Sequence, residues 1–132
     1  MESRVLIVDD SRLFLDAARV LLEREGVRVV GVAATSAQAL RQVHELRPDV
    51  VLVDIVLGEE SGFDVARHLG EHNEGANLAV ILMSSYSEAD FADLIAGSPA
   101  AGFLPKPELS AEAIRRIVDG SPPGGQPGAR VR

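Results

Sequence analysis

The feature that most constrains this chain is a regular alternation of short apolar runs with amphipathic segments over residues 4–118. Val50-Val51-Leu52-Val53 is the sharpest run: four apolar residues, three of them Val, bounded by Asp49 and Asp54. A run without polar alternation reads as a short strand covered on both faces. Similar stretches predict strands at 4–8, 28–33, 78–83 and 101–104. Helices are predicted over 11–25, from 36 to the stop at Pro48, and over 63–72. A fourth runs from a Ser87 cap through Phe91, Leu94 and Ile95, and a fifth over 110–118 with Ser110 as its cap. In the first helix Leu13/Phe14, Ala17/Ala18 and Leu21/Leu22 recur every four residues as one apolar stripe, and Gly26 ends it. The segments Leu57–Gly62 and Asn73–Asn77 read as a loop and a turn. Five strands alternating with five helices specify an α/β chain whose parallel sheet is wrapped on both faces by right-handed crossovers.

Composition narrows the function classes. The chain has 132 residues, enough for one domain, and no cysteine, so neither a disulfide framework nor a thiolate metal site is expected. No apolar run approaches the ~18 residues of a membrane span, and the N-terminus lacks a signal-peptide layout, so a cytoplasmic protein with no membrane partner is expected. A net charge of −7 argues against direct nucleic-acid binding, which needs clustered Lys and Arg. Residues 119–132 turn to Gly, Pro, Ser and Gln and read as a flexible tail behind a domain over 4–118, or as the stub of a linker to a further domain.

Four features then point to one place. Asp9 and Asp10 follow strand 1, Asp54 follows strand 3, Ser84 follows strand 4 and Lys106 follows strand 5. In a flavodoxin-like doubly wound five-stranded sheet of order 2-1-3-4-5, these strand ends open onto one edge, with strands 1 and 3 adjacent. Three carboxylates crowded there either hold protons more tightly or recruit a cation. An all-oxygen donor set in a shallow site suits Mg2+. Lys106 is the only lysine among thirteen basic residues, which suggests a need for a compact ammonium at that point. A cation, an ammonium and a hydroxyl around one carboxylate make a phosphoryl-transfer site. His68 and His72 share an i, i+4 spacing, but no third ligand accompanies them, and they read as a solvated helix face.

The acidic pair, Asp54, Gly62 eight residues beyond it, Ser84, and Phe103-Leu104-Pro105-Lys106-Pro107 occur in order, and together they resemble the receiver domain of two-component response regulators. The resemblance implies that Asp54 is the phosphoacceptor and that Asp9, Asp10, Asp54 itself and the backbone carbonyl of Val56 hold Mg2+. It implies that Ser84 and Lys106 contact the phosphoryl group, that the Lys106–Pro107 bond is cis, and that Phe103 is a switch aromatic altering the surface of helix 4, strand 5 and helix 5. A histidine kinase or histidine phosphotransfer protein would be the phosphodonor, and the chain a monomer or a phosphorylation-dependent dimer. The pattern departs from the family at Gly58, where many receivers have Pro, and at Phe103, where Tyr is frequent. Val56 and Tyr86 stand at positions that tune phosphoryl loss in the family, and their bulk implies slow hydrolysis. The competing class is a Mg2+-dependent aspartyl-phosphate phosphohydrolase; there the acids would be spaced Asp-x-Asp after the first strand, whereas here they are adjacent. A switch rather than an enzyme is therefore expected.

Overall fold

The Val-rich runs assemble by parallel pairing, because a strand apolar on both sides is satisfied only between two helical layers. A computed structural model describes residues 3–72, 78–86 and 88–120. Strands β1 (Arg4–Val8), β2 (Arg28–Ala33), β3 (Val50–Asp54), β4 (Ala79–Ser84) and β5 (Gly102–Pro105) pair in parallel in the order β2-β1-β3-β4-β5. This is the flavodoxin-like arrangement expected. Every residue of β3 is buried. Successive side chains of a strand point to opposite faces, so Val50 and Leu52 join Val5, Ile7, Ile81 and Met83 on one side, while Val51 and Val53 join Leu6, Val8, Val80 and Leu82 on the other.

Five helices cover these faces: α1 (Arg12–Arg24), α2 (Ser36–Leu46), α3 (Gly62–His72), α4 (Ala92–Ala96) and α5 (Ala111–Val118). Leu15, Ala18 and Leu22 of α1 and Ile114 of α5 close the first core, and Ala39 of α2 with Val65, Ala66 and Leu69 of α3 close the second. The helix starts are locally encoded. Ser11, Thr35 and Ser110 each accept a hydrogen bond from the backbone N–H three residues on, at 3.2, 3.1 and 3.0 Å. Gln38 returns the favour to α2 by accepting from Ala34 N at 2.8 Å.

Three expectations are corrected. On α1, Leu13 is 84% exposed and Ala17 and Leu21 also face outward, because a helix lying on a sheet buries only a stripe of its surface. The fourth helix, expected from a Ser87 cap, begins instead as a 3-10 turn over Glu88–Phe91 followed by the five-residue α4, on which Leu94 is 58% exposed. The loop after β3 is a small antiparallel hairpin, Val56–Leu57 against Glu60–Ser61. Ser87, the segment Asn73–Asn77, the side chain of His72 and most of the tail (121–132) lie outside the described residues. No helix among the described residues is long and apolar enough to cross a membrane.

Gly62 joins this hairpin to α3 where backbone lies on backbone. Its N–H donates to Ile55 O at 2.7 Å. A Cβ there would stand 2.8 Å from the carbonyl carbon of Asp54 and 2.9 Å from Ile55 Cα, and would collide with the Asp54 carbonyl oxygen. Gly62→Ala is expected to lower stability by about 1–3 kcal/mol through overpacking. Urea denaturation monitored by circular dichroism measures this, and a midpoint equal to wild type contradicts the close approach.

Candidate functional site

The carboxyl ends of the strands are level, since Val8 pairs with Val53, Asp54 with Met83 and Ser84 with Pro105. Three residues at these ends use one local device. Asp9 Oδ1 accepts from Ser11 N at 2.8 Å, Asp54 Oδ1 from Val56 N at 3.0 Å, and Ser84 Oγ from Tyr86 N at 2.9 Å. Each is a side chain turned back onto the amide two residues ahead. The device holds all three side chains at the mouth of the sheet, and it leaves the Ser84 hydroxyl proton to be donated elsewhere.

One oxygen from each of Asp9, Asp10 and Asp54 lies within 4.8 Å of the others. Asp9 and Asp54 are buried and Asp10 is exposed. Lys106 opens a 3-10 turn after β5 and reaches across the edge, with Nζ 2.6 Å from Asp9 Oδ2 and 2.9 Å from Asp54 Oδ2. The predicted acids, Ser84 and Lys106 are thus brought to one edge from four strand ends. Phe14, on the first turn of α1, places its ring 4.4 Å from Nζ, a cation–π contact. The sequence marks Phe14 only as an apolar helix residue, and nothing local to it signals the ammonium.

Burial pushes the Asp54 carboxyl above its ordinary value, against the opposing pull of hydrogen bonds from Lys106 and Val56 N. Burial would lower the Lys106 ammonium, but its contacts with Asp9 and then Asp54 outweigh that and leave it raised. Asp9 Oδ2 is buried with the ammonium as its ion-pair partner and no hydrogen bond of favourable angle. An oxygen-only cluster of three carboxylates offset by one ammonium fits a hard divalent cation such as Mg2+.

The other predicted residues are close by. Val56 and Tyr86 are 47% and 61% exposed, and the Tyr86 ring meets Phe91 edge-on with centroids 6.2 Å apart. Phe103, on β5, is half-buried against the second core. The Lys106–Pro107 bond, expected cis, is trans: among the described residues no peptide is cis. Pro107 lies in the 3-10 turn that Leu109 N closes onto Lys106 O at 3.2 Å, and a trans bond, preferred by roughly 0.5–1 kcal/mol before proline, builds that turn.

The response regulator receiver domain family matches residues 5–119. The virulence-factor transcription regulator BvgA of Bordetella pertussis is 33% identical over 114 residues, which are 86% of this chain and 54% of BvgA. The DNA-binding response regulator MtrA of Mycobacterium tuberculosis is 33% identical over 119 residues, 89% of this chain and 50% of MtrA. The chain therefore spans about half the length of these relatives. The signal receiver domain of NarL from Mycobacterium tuberculosis has the same fold with a TM-score of 0.77 at 30% identity, covering 89% of this chain and 94% of that one.

The raised Asp54 value sets a pH dependence. A carboxyl whose folded-state value exceeds its unfolded one loses stability as pH rises from the unfolded value through the folded one. Asp54→Asn is therefore expected to be more stable than wild type in metal-free buffer at neutral pH, with the gap closing as pH falls below the ordinary Asp range. Thermal melts across pH check this. Carbon NMR titration of the Asp54 carboxyl should also show a midpoint above the ordinary value that Lys106→Met moves higher still.

Proposed function

The chain belongs to the response regulator receiver domains of two-component signalling, and from that premise we propose that Asp54 accepts a phosphoryl group in a Mg2+-dependent reaction. The donor is a phosphohistidine on a histidine kinase or histidine phosphotransfer protein. The observation that carries this reading is the placement of Asp54: a buried carboxylate at a strand end, 2.9 Å from an ammonium and within 4.8 Å of two more carboxylates.

Asp9, Asp10, Asp54 and the Val56 carbonyl would hold Mg2+. When bound, the ion supplies positive charge that offsets the charge on the transferring phosphoryl group. The chain's own residues do the rest. An Asp54 carboxylate oxygen forms the new P–O bond as the P–N bond to the donor imidazole breaks, and the bonding pair stays on that nitrogen, which takes up a proton. Lys106 exchanges its contact with Asp54 for a phosphoryl oxygen, and the Ser84 hydroxyl donates to another. Moving Ser84 releases its grip on Tyr86 N. Phe103 then turns into the vacated space, changing the surface of α4, β5 and α5 that a downstream protein reads.

Val56 and Tyr86 stand exposed beside Asp54 and Ser84. Both are bulky and neither carries a carboxylate or amide, so they shield the acyl phosphate and slow its hydrolysis. Two results test the proposal. Acetyl phosphate with Mg2+ should add one phosphoryl group to wild type by intact mass, none to Asp54→Asn, and none when Mg2+ is chelated. An adduct on Asp54→Asn refutes Asp54 as the acceptor, and sustained turnover of phosphate esters favours the phosphohydrolase. Replacing Val56 by Asn and Tyr86 by Glu should shorten the adduct's lifetime several-fold, and an unchanged lifetime removes the shielding role.

A further inference from the structure

The hairpin after β3 forms one wall of the acidic pocket. Val56 N holds Asp54 Oδ1, and the turn residue Gly58, at φ +61°, lies so near Asp10 that a Cβ on it would stand 3.7 Å from Asp10 Oδ2. Yet the hairpin has two residues per strand, and a ladder that short has no stability of its own. Leu57 anchors one strand in the core. The other is held by Glu60, whose Oε1 accepts from Ser36 N at 2.9 Å and whose Oε2 accepts from Ser36 Oγ at 2.7 Å.

Ser36 is the first residue of α2, and its N–H has no acceptor within the helix. A carboxylate there gains a charge-assisted bond and the field of the helix N-terminus. The Ser36 hydroxyl and then the Ser36 amide hold the Glu60 carboxyl below the ordinary Glu range, so the link persists at neutral pH. Glu60 is not one of the clustered acids at the pocket.

We infer that Glu60 is a positioning residue: by gripping the start of α2 it holds the hairpin, and with it the Val56 backbone, against the acidic pocket so that Mg2+ meets a preformed site. This rests on the reading of Asp9, Asp10 and Val56 as the Mg2+ site. The link joins the second helix to the active edge without touching any reacting atom.

The test uses the full chain, wild type beside Glu60→Ala and Glu60→Gln. In metal-free buffer, hydrogen exchange of the amides at 56–61 and of Ser36 should speed up in Glu60→Ala, with β1 and β4 unchanged. In a Mg2+ titration followed by amide chemical shifts, the Glu60→Ala midpoint should rise about tenfold, the size of effect typical of groups that support a metal's ligands. Glu60→Gln should recover most of both, because its amide oxygen still accepts from Ser36 N and its NH2 can donate to the Ser36 hydroxyl. Wild-type exchange and a wild-type Mg2+ midpoint in Glu60→Ala overturn the inference, as does a Gln variant no better than Ala. If wild type itself takes up no Mg2+, the proposed metal site fails, while the exchange rates still decide whether Glu60 holds the hairpin.

Discussion

Lys106 reaches over the sheet edge into two buried carboxylates, and the geometry of the whole site follows from that contact. Its ammonium is 2.6 Å from Asp9 and 2.9 Å from Asp54. A buried carboxylate left without a partner costs several kcal/mol, so the folded chain needs this ammonium where it is. One positive charge against three carboxylates nevertheless leaves the pocket formally two negative charges in excess. That imbalance attracts a divalent cation, and the same cation would aid the approach of an anionic phosphoryl donor. For the proposed reaction, the charge would be in place before any donor arrives, as in a preorganised site that lowers a barrier.

The edge is kept in shape by small, repeated hydrogen bonds rather than by bulk. Asp9, Asp54 and Ser84 each turn back onto the amide two residues ahead. Such turns orient a side chain at a strand end and tolerate rearrangement, since each has one bond to exchange. Beneath them the core is uninterrupted: the inner residues of β1, β3 and β4 are fully buried on both faces. Under the proposed function, a rigid sheet carrying exchangeable turns would let phosphorylation be felt at a helix surface without loss of the fold.

Much of this could be read before the fold was seen. The apolar runs, the serine and threonine caps, the acidic doublet and the strand-end positions of Asp54, Ser84 and Lys106 are local patterns, and local patterns are set by backbone sterics and by which way a side chain must face. The misreadings share a cause. Leu13 is apolar and helical, yet its exposure depends on what lies opposite it. The Lys106–Pro107 bond takes its form from the turn in which it sits, and Phe14 owes its role to an ammonium 92 positions further along the chain.

Residue types and their order therefore settled the class of fold and pointed to the sheet edge and the kind of chemistry proposed for it. Three-dimensional packing alone decided the pairings: Lys106 with Asp54 across 52 positions, Glu60 with Ser36 across 24. The reason is physical. Propensity, capping and strand patterning act over a few residues, while an ion pair or a charge-assisted hydrogen bond forms between whichever groups the sheet order happens to bring within about 3 Å.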